Sequence, residues 1–231
     1  MSNYYVFTDL HGNIKLWERI KEIVKDQPAV FLGDAADRGA DGFNIMRDMK
    51  DIPNLTYLRG NHEELFINGT REYKQDETIG EATELWLYNG GLATFEAWRK
   101  AGQPMNLTNW LVEQPLTFSY GRYDMCHSGC LRTKNYDDWT HQTDWDYIWH
   151  RSHFHQKWYP DRVLLHGHTP AKWVPGFTHP TIPTILQYNN NKIDLDLATA
   201  ESQMIALYNL ATDEVYYIDE KGIQRAEHYQ V

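Results

Sequence analysis

Short apolar runs alternate with amphipathic stretches through the first part of the chain. Residues 4–7, 30–32 and 55–58 are runs of apolar and β-branched residues, which are typical of buried strands. Between them, apolar residues recur at helical spacing, which predicts two intervening helices. The first helix carries Ile14, Trp17, Ile20, Ile23 and Val24, and the second, which ends near Pro53, carries Phe43, Ile45, Met46 and Met49.

This alternation of strands and helices predicts an α/β fold. Strand, helix, strand, helix and strand in succession are typical of a parallel sheet with helices on its faces. The stretch 61–114 continues the helical pattern, with an interruption at Gly90 and Gly91. The helices that cover the sheet are therefore expected in the first half of the chain.

The second half of the chain is richer in predicted strands. Residues 116–120 and 122–126 flank Gly121 and predict a hairpin, and residues 163–165 predict a buried strand. Residues 128–160, by contrast, are rich in loop-forming and aromatic residues. Closing antiparallel strands are expected at residues 193–197, 204–210 and 215–218.

Length and composition describe an ordinary globular chain. Its 231 residues correspond to one or two domains of about 150 residues each. No linker-like stretch divides the sequence, so we expect a single domain over residues 1–231. Apolar residues make up 42% and charged residues 23%, which argues against overall disorder.

Charge and cysteine content argue against several classes of protein. The chain has 22 Lys and Arg against 32 Asp and Glu, a net charge of −10, which disfavours binding to nucleic acid or to anionic membranes. No apolar run approaches the ~18–20 residues of a membrane span, and no secretory leader precedes the first polar motif. The two cysteines are too few for a disulfide framework, so a cytoplasmic protein is expected.

Polar segments follow the predicted strands directly. Ligands bind outside the carboxyl ends of strands in open α/β sheets, so these segments are expected to share one rim. They contribute Asp, Asn and His, a mixture of oxygen and imidazole ligands that suits manganese, iron or zinc. The five segments are residues 9–13, 33–39, 59–63, 127–129 and 166–169.

The order of motifs in these segments resembles that of a known family. The motifs are D-x-H from Asp9, G-D-x-x-D-R-G from Gly33, R-G-N-H-E from Arg59, a single histidine at His127, and G-H-T-P from Gly167. Over residues 4–200 they resemble the calcineurin-like metallophosphoesterases, and more narrowly the phosphoprotein-phosphatase branch with its bacterial and phage lambda-type Ser/Thr phosphatases. Residues 86–91 and 148–151 add weaker support. The resemblance implies a central β-sandwich flanked by helices, with a metal site on the loops after the strands.

The resemblance also implies a centre of two divalent metal ions. Two such ions about 3.5–4 Å apart can activate water as a hydroxide and neutralise the charge of a phosphate. Manganese is the expected metal, with iron or zinc as alternatives. The implied ligands are Asp9 and His11 for the first ion, Asp34 as the bridge, and Asn61, His127 and His168 for the second ion.

Four more residues have catalytic roles implied by the resemblance. His62 is the implied general acid, which protonates the leaving alkoxide, and Asp37 orients it. Arg38 and Arg151 are implied to grip phosphate oxygens, since a guanidinium offers a planar fork of donors. The expected activity is hydrolysis of a phosphomonoester, on a phosphorylated protein or a small phosphoester, with a Ser/Thr or dual-specificity protein phosphatase as the implied subclass.

Several residues depart from the family pattern or invite another interpretation. Thr8 stands where the family usually has glycine, and its side chain is expected either to narrow the approach to the first metal or to pack. His166 is expected to share a strand face with His168 without joining the ligands. Glu63 is interpreted as an acid at a helix N-terminus. Three further histidines are interpreted as loop residues near the site, namely His150, His153 and His155.

Two other functions stay open from the sequence. The related symmetrical dinucleoside-tetraphosphate hydrolases are longer, and their last histidine motif resembles G-H-W more than the G-H-T-P of residues 167–170. A catalytically inactive metal-binding module is the second alternative, and it predicts a lost ligand or acid, whereas every expected position is filled. The physiological substrate and the oligomeric state do not follow from the sequence.

Overall fold

Two β-sheets face each other in the computed structural model, which describes residues 3–174, 176, 178, 181–189 and 191–229. Apolar side chains from both sheets meet in one buried cluster, with Val6 and Val30 on one side and Met125, Leu165 and Ile193 on the other. The expected α/β fold with a central β-sandwich is thereby confirmed.

The first sheet contains the predicted parallel unit. Its six strands are β1 (Tyr5–Phe7), β2 (Ala29–Phe31), β3 (Leu55–Tyr57), β9 (Ile205–Asn209), β10 (Glu214–Asp219) and β11 (Gly222–His228). They are ordered β11-β10-β9-β1-β2-β3 across the sheet. β1, β2 and β3 pair in parallel, whereas β9 joins β1 and β10 in antiparallel pairs. The carboxyl ends of β1, β2 and β3 therefore lie at one edge.

The second sheet also combines parallel and antiparallel strand pairs, but it has fewer strands. Its five strands are β4 (Thr117–Tyr120), β5 (Tyr123–Cys126), β6 (Val163–His166), β7 (Leu186–Tyr188) and β8 (Lys192–Asp194). Their order is β4-β5-β6-β8-β7, and β4 with β5 is the predicted hairpin. β5 and β6 pair in parallel, so their carboxyl ends also lie together.

Helices cover the outer face of the first sheet. The side chains of β1 alternate, so Tyr5 and Phe7 join the cluster beneath the helices while Val6 joins the interior of the sandwich. The helices that contribute to this cluster are α1 (Ile14–Val24), α2 (Gly42–Lys50), α3 (Asn61–Asp76), α4 (Glu81–Trp86), α5 (Leu92–Lys100) and α6 (Met105–Val112). Two short helices lie elsewhere: α7 (Asp144–Ile148) packs in a separate cluster with Cys126 and Leu164 of the second sheet, and α8 (Thr199–Ser202) precedes β9. A single π-helical turn, Leu87–Gly91, joins α4 to α5 and contains the predicted interruption. No helix in the described part of the chain combines the length and the apolar character needed to cross a membrane.

Three features of the strands differ from the sequence prediction. β7 and β11 were not predicted, and β11 is an edge strand with mostly exposed side chains, so it lacks the apolar alternation that marks a buried strand. Residues 193–197 contribute only the end of the short strand β8. β8 pairs antiparallel with β7 but parallel with β6, so the prediction of an antiparallel closing strand holds for one neighbour alone.

Candidate metal centre

The six expected metal ligands come together at the ends of strands. They are Asp9 and His11 after β1, Asp34 after β2, Asn61 after β3, His127 after β5 and His168 after β6. None of them is more than 5% exposed. Backbone hydrogen bonds tie the loops to one another: Asp9 N donates to Gly33 O at 3.0 Å, and Gly167 N donates to His127 O at 2.7 Å.

One cluster of ligand atoms lies beside β1. His11, Asp34 and His62 each offer an atom within 4.8 Å of the others. Asp9 Oδ1 lies 3.6 Å from His11 Nε2, and it is buried without a hydrogen-bond partner. An unpartnered buried carboxylate oxygen is unfavourable, and a bound cation would remove that cost. Asp9, His11 and Asp34 therefore fit a divalent metal ion, with His62 beside them.

A second cluster shares Asp34 with the first. Asp34, His127 and His168 again offer atoms within 4.8 Å of one another. Asn61 Oδ1 lies 3.0 Å from His127 Nε2 and 2.8 Å from His168 Nδ1. Asp34 Oδ2 is 3.3 Å from His127 Nε2 and 3.9 Å from His11 Nε2. One carboxylate thus faces both clusters, as a ligand that bridges two ions must.

Backbone carbonyls orient two of the histidine rings. His11 Nδ1 lies 3.2 Å from Ala36 O, and His127 Nδ1 lies 3.0 Å from Leu32 O. A ring nitrogen that donates to a carbonyl leaves the other nitrogen unprotonated in the neutral imidazole. Nε2 of both rings can then face a metal ion.

The backbone of the site adopts a conformation that non-glycine residues rarely take. A residue in the left-handed region costs on the order of 1–3 kcal/mol and persists where surrounding contacts hold it. Of the thirteen non-glycine residues with a positive φ in the described part of the chain, six lie in the loops that carry the ligands. They are Asp9 (φ 54°), His11 (43°), Asp34 (64°), Asp37 (69°), Arg38 (62°) and His168 (72°).

Charges within the clusters shift the protonation of Asp34 and His127 in opposite directions. Burial alone would raise the pKa of Asp34, but the positive charges of His127 and His62 outweigh it and hold the pKa well below its usual value. Burial alone would lower the pKa of His127, but the charge of Asp34 raises it to about 9. A metal-binding imidazole must be neutral, so a proton on His127 and a cation compete for the same negative centre.

His62 is held between Asp37 and Arg38. Its Nδ1 donates to Asp37 Oδ2 at 2.8 Å, and Arg38 Nη2 lies 3.1 Å from its Nε2. Sequence reasoning missed Trp86, whose Nε1 lies 3.0 Å from both carboxylate oxygens of Asp37. The sequence feature that could have identified Trp86 is its position at the start of the weaker motif of residues 86–91. The side chain of Arg151 reaches the other cluster, where its Nε donates to His168 Nε2 at 3.0 Å.

Glu63 does more than the sequence interpretation allowed. It lies in the first turn of α3, as expected, and its Oε2 accepts from Gly60 N at 2.8 Å. It also accepts from Asp34 N and Ala35 N at 2.8 Å and from Tyr57 Oη at 2.9 Å. The buried carboxylate therefore links the loop after β2 to the loop after β3.

The structure shows what Thr8 contacts and whether His166 shares a strand face with His168. Thr8 Oγ1 donates to Asp9 Oδ2 at 2.6 Å, so its buried side chain fixes the ligand that follows it. His166 does not share the environment of His168, because its Nε2 bonds to Tyr188 Oη at 2.6 Å. The expected alternation fails because β6 ends at His166 and His168 has a left-handed φ. Among the loop histidines, His153 packs against His166, outside both ligand clusters.

A groove of about 630 Å³ opens beside the first cluster. His11 and Arg38 line it, together with charged residues that include Lys15, Asp41 and Lys221. None of its lining residues in the described part of the chain is Phe, Tyr or Trp. The groove therefore borders the first cluster through His11 and Arg38.

Several solved structures share this fold. A putative diadenosine tetraphosphatase matches with a TM-score of 0.65 at 12% identity, over 97% of this chain and 95% of that one. The cold-active protein-tyrosine phosphatase of a psychrophilic Shewanella species matches with a TM-score of 0.57 at 14% identity, over 100% and 81%. A serine/threonine phosphatase from Saccharomyces cerevisiae matches with a TM-score of 0.55 at 13% identity, over 92% and 73%. At these identities the likeness shows the fold alone.

The family follows from the sequence profile. No curated protein matches the chain in sequence. The profile of the calcineurin-like phosphoesterases matches residues 3–198, which include both ligand clusters and the groups around His62. The predicted resemblance is confirmed, and the chain belongs to the calcineurin-like phosphoesterase family.

Proposed function

We propose that the protein is a metal-dependent phosphomonoesterase that dephosphorylates Ser and Thr residues of proteins. The observation that carries the metal-dependent chemistry of this proposal is the position of Asp34, whose carboxylate lies between two clusters of buried ligands. The buried Asp9 Oδ1 beside it has no hydrogen-bond partner, which supports a cation site at this position. A pair of divalent ions supplies an activated water and neutralises the phosphate charge.

In this proposal, the six clustered side chains divide between the two ions. The first ion is held by Asp9 and His11, and Asp34 bridges the pair. Asn61, His127 and His168 complete the second site. Manganese is the proposed metal, with iron and zinc as alternatives, because imidazole, carboxylate and amide ligands accept all three.

Three side chains around the clusters carry the remaining steps. His62 is proposed to give its proton to the leaving alkoxide, while Asp37 holds the other ring nitrogen. Arg38 lies beside His62, and it is proposed to bind phosphate oxygens. Arg151 is proposed to do the same from the side of His168.

The groove favours a phosphoprotein over a dinucleotide. Nucleobases are commonly held by stacking on aromatic side chains, and no Phe, Tyr or Trp lines the described groove. A polar groove with charges of both signs suits a peptide. Symmetrical dinucleoside-tetraphosphate hydrolysis is the alternative, because the putative diadenosine tetraphosphatase is similar over 95% of its own length.

The two buried free cysteines fit a proposed cytoplasmic location.

The first test is hydrolysis of p-nitrophenyl phosphate by chelator-stripped protein, with and without manganese. We expect activity to vanish on stripping and to return with the metal. A phosphoserine peptide and diadenosine tetraphosphate, compared at equal concentration, then separate the two substrate classes. Bound manganese without turnover of any of the three substrates would contradict the proposal and favour an inactive binding module.

The bridging role of Asp34 is tested by metal analysis of Asp34→Asn. We expect both ions to be lost, because one carboxylate serves two sites and an amide oxygen carries no charge. Asp37→Asn is the matched control, since Asp37 is equally buried but lies outside both clusters. Full retention of one ion in Asp34→Asn would exclude bridging.

A further inference from the structure

The indole of Trp86 lies against the carboxylate that supports His62. Its Nε1 is 3.0 Å from both Asp37 oxygens, and Asp37 Oδ2 accepts from His62 Nδ1 at 2.8 Å. Trp86 and Asp37 are fully buried and His62 is only 1% exposed, so water does not compete for these bonds. A chain of hydrogen bonds therefore runs from the indole through the carboxylate to the imidazole.

Packing explains the aromatic ring of Trp86 but not its N–H group. The ring makes edge-to-face contacts with Phe66 and Phe95, at centroid distances of 5.3 and 5.6 Å. It also fits tightly against Gly91, where an added Cβ would lie 2.3 Å from Nε1. The tight fit to Gly91 sets the edge that carries Nε1 in place and aims it at Asp37.

Trp98 shows which acceptor is sufficient for a buried indole N–H group that has only a structural role. Trp98 is also fully buried, and its Nε1 donates to a backbone carbonyl, Pro104 O, at 3.1 Å. A neutral carbonyl is therefore sufficient to satisfy a buried indole in the same layer of helices. Trp86 instead donates to Asp37, the carboxylate that accepts a hydrogen bond from Nδ1 of the His62 ring.

Asp37 combines a strained backbone with a carboxylate whose plane a single hydrogen bond does not fix. Its φ of 69° is left-handed, and its backbone N donates to Thr94 Oγ1 at 3.0 Å. The side-chain torsion of a carboxylate is broad, so one bond to His62 does not fix the plane of the group. A donor shared between both oxygens does fix that plane, and with it the ring of His62.

We propose that Trp86 is a positioning residue for the general acid, acting through the carboxylate of Asp37. This inference rests on the proposed function, in which His62 protonates the leaving group. The inference predicts that a change at Trp86 affects some substrates more than others. Loss of the N–H group should harm substrates whose leaving group needs a proton and spare those whose leaving group does not.

The test is Trp86→Phe, assayed on a phosphoserine peptide and on p-nitrophenyl phosphate. An alkoxide needs protonation, and positioned acids contribute about 10²–10⁴ in rate, so we expect kcat on the peptide to fall by about 10–100-fold. On p-nitrophenyl phosphate, a fall of less than about threefold is expected, because nitrophenolate leaves without a proton. Manganese content and melting temperature are measured on the same samples.

Trp98→Phe is the matched control, because it also removes a buried indole N–H from this helical layer. It should change both activities by the same factor. A double-mutant cycle with Asp37→Asn adds a second criterion: once Asp37 no longer orients His62, Trp86→Phe should cost little further activity on the peptide. If Trp86→Phe does not fold, benzothienylalanine at position 86 keeps the shape of the indole without the N–H.

The outcomes separate this inference from the proposed function. Equal losses on both substrates, or losses that multiply independently in the cycle, would overturn the positioning role of Trp86. If His62→Asn itself lost equal activity on both substrates, the acid role in the proposed function would fail instead. A selective loss in Trp86→Phe that disappears in the Asp37→Asn background supports the inference.

Discussion

At the scale of the residue, His62 shows how neighbouring charges prepare a side chain for proton transfer. Burial lowers the pKa of His62, but the charges of Asp34 and Asp37 outweigh burial and raise the pKa above its ordinary value. The ring cannot rotate freely, because Asp37 Oδ2 holds Nδ1 at 2.8 Å. Nε2 is therefore the nitrogen that faces Arg38 and the proposed phosphate site.

His62→Asn is expected to keep both metal ions and to lose turnover selectively. On an alkyl phosphate the loss should be about 10²–10⁴-fold, since the leaving alkoxide needs a proton. On p-nitrophenyl phosphate it should be clearly smaller. Steady-state kinetics on both substrates, together with metal analysis, check this prediction, and equal losses on the two substrates would contradict it.

At the scale of the element, the start of α3 joins two loops of the site. Glu63 accepts from three backbone N–H groups at 2.8 Å, two of which belong to the loop that carries Asp34. The sequence identified the acid and its place in the first turn of α3. It could not show the bonds to Asp34 and Ala35, because they join segments that are distant along the chain.

Glu63→Gln is expected to destabilise the protein by about 1–3 kcal/mol, because the amide group turns a donor towards buried backbone donors. The neighbouring Glu64→Gln is the control: Glu64 pairs with Arg59 at 3.0 Å near the surface, and its removal should cost at most about 1 kcal/mol. Denaturant unfolding measures both values. Equal effects of the two substitutions would show that the loop linkage contributes nothing.

At the scale of the whole molecule, buried histidines on the second sheet tie stability to pH. His166 is fully buried between β7 and the turn at His153, and its Nε2 bonds to Tyr188 Oη. Burial lowers the pKa of His166 to about 3. The unfolded chain binds this proton near the ordinary pKa, so the folded state has its full stability above about pH 6.5 and loses it as pH falls towards 3.

His166→Gln is expected to flatten the acid limb of the stability curve of metal-stripped protein. Between about pH 6 and 4, the slope of the unfolding free energy should fall by about 1.4 kcal/mol per pH unit relative to the unchanged chain. His155→Gln, at an exposed position, is the control. Denaturant unfolding at several pH values gives the slopes, and parallel curves for all three proteins would contradict the prediction.

The sequence by itself determined the parallel β1–β3 unit, the β4–β5 hairpin and the family. Apolar periodicity reports which face of an element is buried, and this is a local property of the chain. The sequence also predicted that the segments carrying the six candidate ligands share one rim. Within each sheet this follows because the carboxyl ends of parallel strands lie at the same edge, whereas the facing of the two sheets, which adds His127 and His168 to the other ligands, was decided by the tertiary structure. The edge strand β11 escaped prediction, because its exposed side chains carry no such periodicity.

Only the tertiary structure decided which side chains around the rim contact one another. The left-handed turn after β6 separates His166 from His168, although the two are only two positions apart. The bond from Trp86 to Asp37 and those from Glu63 to the loop after β2 join groups far apart along the chain. The local sequence pattern indicates which positions are polar and which are buried. The hydrogen-bond partner of each buried polar group depends on how the loops pack, because the two groups lie in segments that are distant along the chain.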